Sequence, residues 1–285
     1  MNVQPLALLD RPVRLWVQGL GVAGALTLAG GLVVAPAEAW TSVLVNAFFF
    51  LSIGVGSAVF LALMYVANAG WSAAIKRVPE GLAAYVPAGA GTMLFLLLGA
   101  GTLYPWAHAA EAATLGDKTR FLNLPAFAAR MVAILALWTL FSRALRARSL
   151  QQDVDGSVRH TERNVATSAV FLLVFALSFC LACFDWLMSL EPHWFSTIFG
   201  LYNIAGMLCA TTCAITVATI LLMRAGRLPG VTESHLHDLG KLMFGFCTLW
   251  AYMWISQYLL IWYANNPEET SYFLARSTGG WSLLF

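Results

Sequence analysis

Residues 40–69, WTSVLVNAFFFLSIGVGSAVFLALMYVANA, are thirty consecutive positions without one charged side chain. About 20 apolar residues in a helix, at 1.5 Å per residue, cross a hydrocarbon core about 30 Å thick. A soluble helix of this length would carry a polar face, and this stretch has none. The same ruler applied outward finds comparable runs at about 15–35, 83–106, 123–142, 165–190, 197–223 and 242–264. The runs are too long for barrel strands and lack the alternation of lipid-facing strands. The reading is an all-α, polytopic integral membrane helix bundle. It has seven complete transmembrane helices in a single domain over residues 1–285.

Composition agrees. Of 285 residues, 60% are hydrophobic and 11% charged, with mean hydropathy +0.73. Soluble domains average about 25% charged residues, so this chain cannot clothe a water-facing surface. Soluble enzymes and disordered chains are excluded. So are nucleic-acid binders, because 16 Lys+Arg barely exceed 14 Asp+Glu. Five cysteines in apolar stretches make no disulfide framework. The last residues, Trp281-Ser282-Leu283-Leu284-Phe285, follow Gly279-Gly280 and read as the first turn of an eighth span, so further chain is expected beyond them.

Charge in the connections sets the orientation. Arg11, Arg14, Lys76, Arg77, Arg143, Arg146, Arg148, Arg159, Arg163, Arg224, Arg227 and Lys241 fall on one side; Lys118, Arg120 and Arg276 fall on the other. The N-terminus is therefore expected in the cytoplasm. Arg11 and Arg14 before an apolar stretch and Ala37-Glu38-Ala39 imitate a signal peptide. That stretch, at about 20 residues, exceeds the usual 7–15, so a retained first helix is expected. Its glycines (Gly19, Gly21, Gly24, Gly30, Gly31) suit close helix packing.

Two ionisable residues lie within spans, Arg130 and Asp185, each roughly 8–10 Å below the outer surface. Such groups are costly in lipid unless paired, and each marks a functional hypothesis. Matching depth predicts that they pair, either for chemistry or simply to hold the bundle. Other polar groups gather at that level: Tyr104, His108, Glu191, His193, Tyr202, Asn203, Gln257, Tyr258, Tyr263, Asn265, Glu268 and Glu269. Interfacial anchoring accounts for most of the tyrosines and tryptophans. The titratable residues on one face point instead to a polar chamber opening outward.

Haem and metal are not expected. None of His108, His160, His193, His235 and His237 lies mid-helix, so no pair ligates a haem between facing helices. Cys180 and Cys183, with Cys209 and Cys213, read as small hydrophobes. His235-Leu236-His237-Asp238 reads as a solvated helix start rather than a metal site or proton relay. There is no phosphate-binding glycine loop and no nucleophile elbow.

Three segments carry a resemblance: Asp185 to Gly200 (DWLMSLEPHWFSTIFG), Ser256 to Thr270 (SQYLLIWYANNPEET) and Lys118 to Arg130 (KTRFLNLPAFAAR). Leu236-His237-Asp238-Leu239-Gly240-Lys241 and Leu103-Tyr104-Pro105-Trp106 fit the same pattern. They are similar to the NrfD-like, polysulfide-reductase type membrane proteins, most nearly the ActF subunits of bacterial alternative complex III, a quinol:cytochrome c oxidoreductase. The likeness runs from the second helix to the end. It implies about ten helices in a bacterial inner (cytoplasmic) membrane, beside a second NrfD-like subunit. It also implies periplasmic iron–sulfur and c-type haem subunits as partners, with a terminal oxidase as a further candidate. This chain would then hold no haem and no iron–sulfur cluster, and a quinone or quinol (menaquinone or ubiquinone) would bind either this subunit or the second NrfD-like subunit, which the resemblance makes the stronger candidate.

On that reading Asp185 or His193 accepts a proton from quinol, Arg130 orients Asp185, and Tyr104, Tyr202, Gln257 and Tyr263 supply hydrogen bonds. Two alternatives stand beside it. One is a proton-coupled transporter using Glu191, Glu80, His237 and Asp238 with Ser52, Ser57, Asn68, Thr216 and Thr219. The other is a structural anchor for periplasmic redox subunits.

Overall fold

In lipid an apolar segment must satisfy every backbone N–H and C=O internally, and these sequences do so as helices. A computed structural model describes residues 11–283. Among the described residues there is no strand, and seven helices are long and apolar enough to cross a membrane. They are α1 (Arg11–Val34), α2 (Pro36–Val66), α3 (Arg77–Leu103), α4 (Leu124–Asp155), α5 (Arg159–Trp186), α6 (Phe199–Arg224) and α7 (Glu233–Ala264). A short amphipathic helix, α8 (Pro267–Ser277), follows.

Several boundaries differ from the sequence reading. Hydropathy marks where the apolar segment stops, whereas helical hydrogen bonding persists through Arg, Ala, Leu and Gln, all good helix formers. So α4 continues to Asp155 and α5 begins at Arg159, with Gly156 in a left-handed conformation (φ 66°) closing the hairpin. Arg143, Arg146, Arg148, Arg159 and Arg163 stand on that hairpin rather than in a loop. The start of α7 moves forward to Glu233, where Thr232 and His235 form a capping box. Only Ala35 separates α1 from α2, since Pro36 suits a first helical turn. Pro79 and Pro87 sit in α3, which is interrupted near Ala84–Tyr85 and again by a 3-10 stretch, Leu96–Gly99. At the C-terminal end, Gly279–Leu283 forms one 3-10 turn; Leu284 and Phe285 of the expected eighth span lie outside the described residues.

Two groups of connections define the two ends of the bundle. At one, Lys118 Nζ donates to the Pro192 carbonyl (2.9 Å), His193 meets Glu111 (2.9 Å) and Arg276 meets Glu191 (3.1 Å). At the other, Arg77 joins Glu80, Asp153 and the Ser149 hydroxyl, and Asn164 donates to the Tyr65 hydroxyl (3.1 Å). Helix α2 runs through the middle, against α3, α5 and α6, and α4 packs on α5. Phe48, Trp138, Phe171, Phe175, Phe179 and Trp186 stack into an aromatic column between α2, α4 and α5.

The glycines that allow close packing are not those of α1. A Cβ on Gly19, Gly21, Gly24 or Gly30 would meet nothing within 4 Å, and Gly31 alone approaches α2, at Ala39. The tight contacts lie elsewhere. A Cβ on Gly56 would sit 2.1 Å from Thr211 Oγ1, and one on Gly99 would sit 2.1 Å from the Trp40 ring.

Candidate functional site

The Asn123 side chain caps α4 by accepting from the Ala126 N–H (3.0 Å), and Pro125 pre-sets the first turn. That start places Arg130 two turns in, facing Asp185 in the last turn of α5. Arg130 Nε donates to Asp185 Oδ2 at 2.7 Å and Nη2 to Oδ1 at 2.8 Å, a bidentate pair. Nη2 also donates to the Phe121 carbonyl (2.9 Å), and the guanidinium lies 3.9 Å from the Phe121 ring centre. Asp185 is wholly buried. Ser189 donates to its backbone carbonyl.

Above the pair, Tyr104 donates its hydroxyl to the Trp186 carbonyl (3.0 Å) and packs on Trp106 and Phe127. With both carboxylate oxygens engaged and aromatic rings around it, Asp185 has the environment of a fixed counter-ion.

A second cluster lies at the same end, between α6, α7 and α8. Here a groove of about 600 Å³ is walled by Phe199, Trp250 and Tyr272, with Tyr202, Gln257 and Arg276 supplying polar groups. Tyr202 stacks on Trp250 (5.6 Å between ring centres), and Gln257 Nε2 donates to Ser196 Oγ (3.0 Å). At the mouth, Tyr272 is sandwiched between the Trp194 ring at 4.0 Å and the Arg276 guanidinium at 3.4 Å. Arg276 then binds Glu191 (3.1 Å). Burial raises the Tyr272 phenol; Arg276 pulls against that and Glu191 adds to it. The other side of this latch is an open pocket of about 520 Å³ lined by Glu191, His193 and Glu268.

The residues singled out from sequence therefore fall into separate places. Arg130, Asp185 and Tyr104 come together in the buried pair and its roof. Tyr202 and Gln257 share the groove. His193 is on the surface with Glu111 and Thr114, and Tyr263 is almost fully exposed on another face of α7. At the opposite end, Glu80 is buried beneath Arg77, His237 is exposed, and Asp238 pairs with Lys241 (3.1 Å). Trp250, Tyr272 and Arg276 were not among the expected site residues. The spacing of Tyr272 and Arg276, four apart on an amphipathic helix, is the signal that would have pointed to them. No protein-family model matches the chain, and a search of curated proteins finds no match.

Proposed function

We propose that the chain is an NrfD-like membrane subunit of a bacterial quinol:cytochrome c oxidoreductase. It sits in the inner membrane with its N-terminus cytoplasmic, and the Asp185 end faces the periplasm. The observation that carries this reading is the aromatic groove, where Tyr202, Gln257 and Arg276 meet flat apolar walls at the same end as the buried ion pair. A quinol needs such a place: an apolar slot open to lipid for its tail, and a few fixed polar groups for its two hydroxyls. Each of the quoted segments Asp185 to Gly200 and Ser256 to Thr270 contributes a residue to its lining, Phe199 and Gln257.

Quinol oxidation releases two electrons and two protons. The electrons pass to iron–sulfur and haem carriers on neighbouring periplasmic subunits. Tyr202 and Gln257 orient the hydroxyls, and Arg276 holds Glu191 at the mouth as the first base on the way out. Asp185 and Arg130 fix α4 against α5 below this layer, a positioning role. In the assembled complex, Tyr202→Phe and Gln257→Leu are expected to lower kcat/KM for quinol about three- to ten-fold each, the loss of one hydrogen bond. Glu191→Gln is expected to alter the pH profile of turnover. Unchanged kinetics in all three variants would remove the groove from the reaction.

A proton-conducting role has its own support. On α5, Asn164, Ser168, Phe171, Phe175, Ser178, Ala182 and Asp185 form one buried stripe running from end to end. Among the described residues, the oxygens of Ser52, Ser168 and Thr211 and the Asn164 amide oxygen are buried without a hydrogen-bond partner, as sites for internal water would be. Proton flux through proteoliposomes that is lost in Ser168→Ala would favour this reading; flux indistinguishable from empty vesicles would exclude it.

A further inference from the structure

At the basic end, a pocket of about 590 Å³ opens between α2, the connection after it, and the α4–α5 hairpin. Its wall changes character at the level where the apolar run of α2 ends. Leu61 and Met64 line the part beside the helix, whereas Tyr65, Asn68, Ser72 and Lys76 line the part beside the connection. A site apolar below and polar above matches an amphiphile lying along α2.

The polar part holds donors of unequal commitment. Arg77 is spent on Glu80, Asp153 and Ser149. Lys76 is less so: its ammonium lies over the Tyr65 ring at 5.3 Å and pairs with Glu80 Oε1 only at 4.0 Å, without a hydrogen bond. Tyr65 accepts from Asn164, so its own O–H is available to donate. The Asn68 side chain makes no hydrogen bond among the described residues, and its backbone, at φ 48°, holds it at the end of α2. Glu80 does not line the pocket; Arg77 and Lys76 stand between, so this is no open vestibule to that carboxylate. An ammonium, a phenol and an amide thus face one space beside an apolar wall, and the Asp153 carboxylate in the same lining is held by Arg77.

We infer that this pocket binds the phosphodiester headgroup of a membrane phospholipid, with Lys76, Tyr65 and Asn68 on the phosphate and an acyl chain along Leu61 and Met64. Basic pockets between transmembrane helices bind lipid headgroups, and here a cation held only at long range by its carboxylate stands beside short-range donors. The inference needs only that the chain spans a membrane and is independent of quinol chemistry.

The test uses the purified full chain, stripped of lipid in detergent and titrated with phosphatidylglycerol in mixed micelles, with bound lipid counted by native mass spectrometry. One tightly retained phospholipid is expected. Diacylglycerol with the same chains is expected not to be retained, and millimolar inorganic phosphate is expected not to displace the phospholipid. Lys76→Gln should weaken retention about five-fold or more, the effect of one interfacial lysine. Ala73→Phe, which fills the pocket from its exposed rim without changing any charge, should abolish it. Equal retention of diacylglycerol would overturn the headgroup assignment, and displacement by inorganic phosphate would overturn the lipid as its source. Undiminished binding by both variants would overturn the site itself.

Discussion

Arg130 and Asp185 could be found in the sequence because each is an ionisable residue within an otherwise apolar span. Their pairing at 2.7 and 2.8 Å gives Asp185 a full complement of charge-assisted bonds. Removing one partner strands the other, and that is costlier than removing both. Asp185→Asn is expected to destabilise the bundle by about 3 kcal/mol, at the low end for buried pairs because the guanidinium keeps one exposed edge. Arg130→Leu combined with Asp185→Leu should recover most of that loss in detergent unfolding. A double variant as unstable as the single one would show that the pair does more than balance charge. The tyrosines were harder to sort. Gln257 and Ile261 share the buried face of α7, whereas Tyr263 lies six residues from Gln257, about 240° around the helix. A helix apolar nearly all round gives no moment strong enough to say which face is which.

The long apolar helices were legible as elements, because a lipid-crossing run needs only length and lack of charge. Their ends were not, since backbone hydrogen bonding ignores the polarity change at which hydropathy stops. The amphipathic α8 was missed for the opposite reason: eleven residues with Glu268, Glu269 and Arg276 read as a loop when the ruler is twenty apolar residues. Glycines misled in a third way. Composition drew attention to α1, but contact is a property of two helices, and α2 and α6 make it at Gly56 and Thr211. Gly56→Ala should therefore force those helices apart and lower stability by about 1–3 kcal/mol. Thr211→Ala in the same chain should restore part of it by removing the clashing oxygen. If Gly56→Ala alone leaves the unfolding midpoint unchanged, the helix crossing is looser than described.

Taken whole, the molecule is electrically lopsided. Lys76, Arg77, the hairpin arginines, Arg224, Arg227 and Lys241 stand at one end, and the ion pair, groove and acidic latch stand at the other. In the proposed orientation, which rests on the positive-inside rule, the hairpin faces the cytoplasm. A cysteine introduced at Ser157, in the hairpin turn, should react with an impermeant thiol reagent only after the membrane is opened, and one at Thr114 should react in intact spheroplasts. The reverse pattern would invert the orientation and place the groove on the wrong side for periplasmic carriers. The most direct test of the proposed function is to tag this chain in its native membrane, purify what comes with it, and record a redox difference spectrum on adding quinol. Reduced c-type haem bands that appear on quinol addition are expected. A pure chain without haem-bearing partners, or partners whose haem quinol fails to reduce, would contradict it.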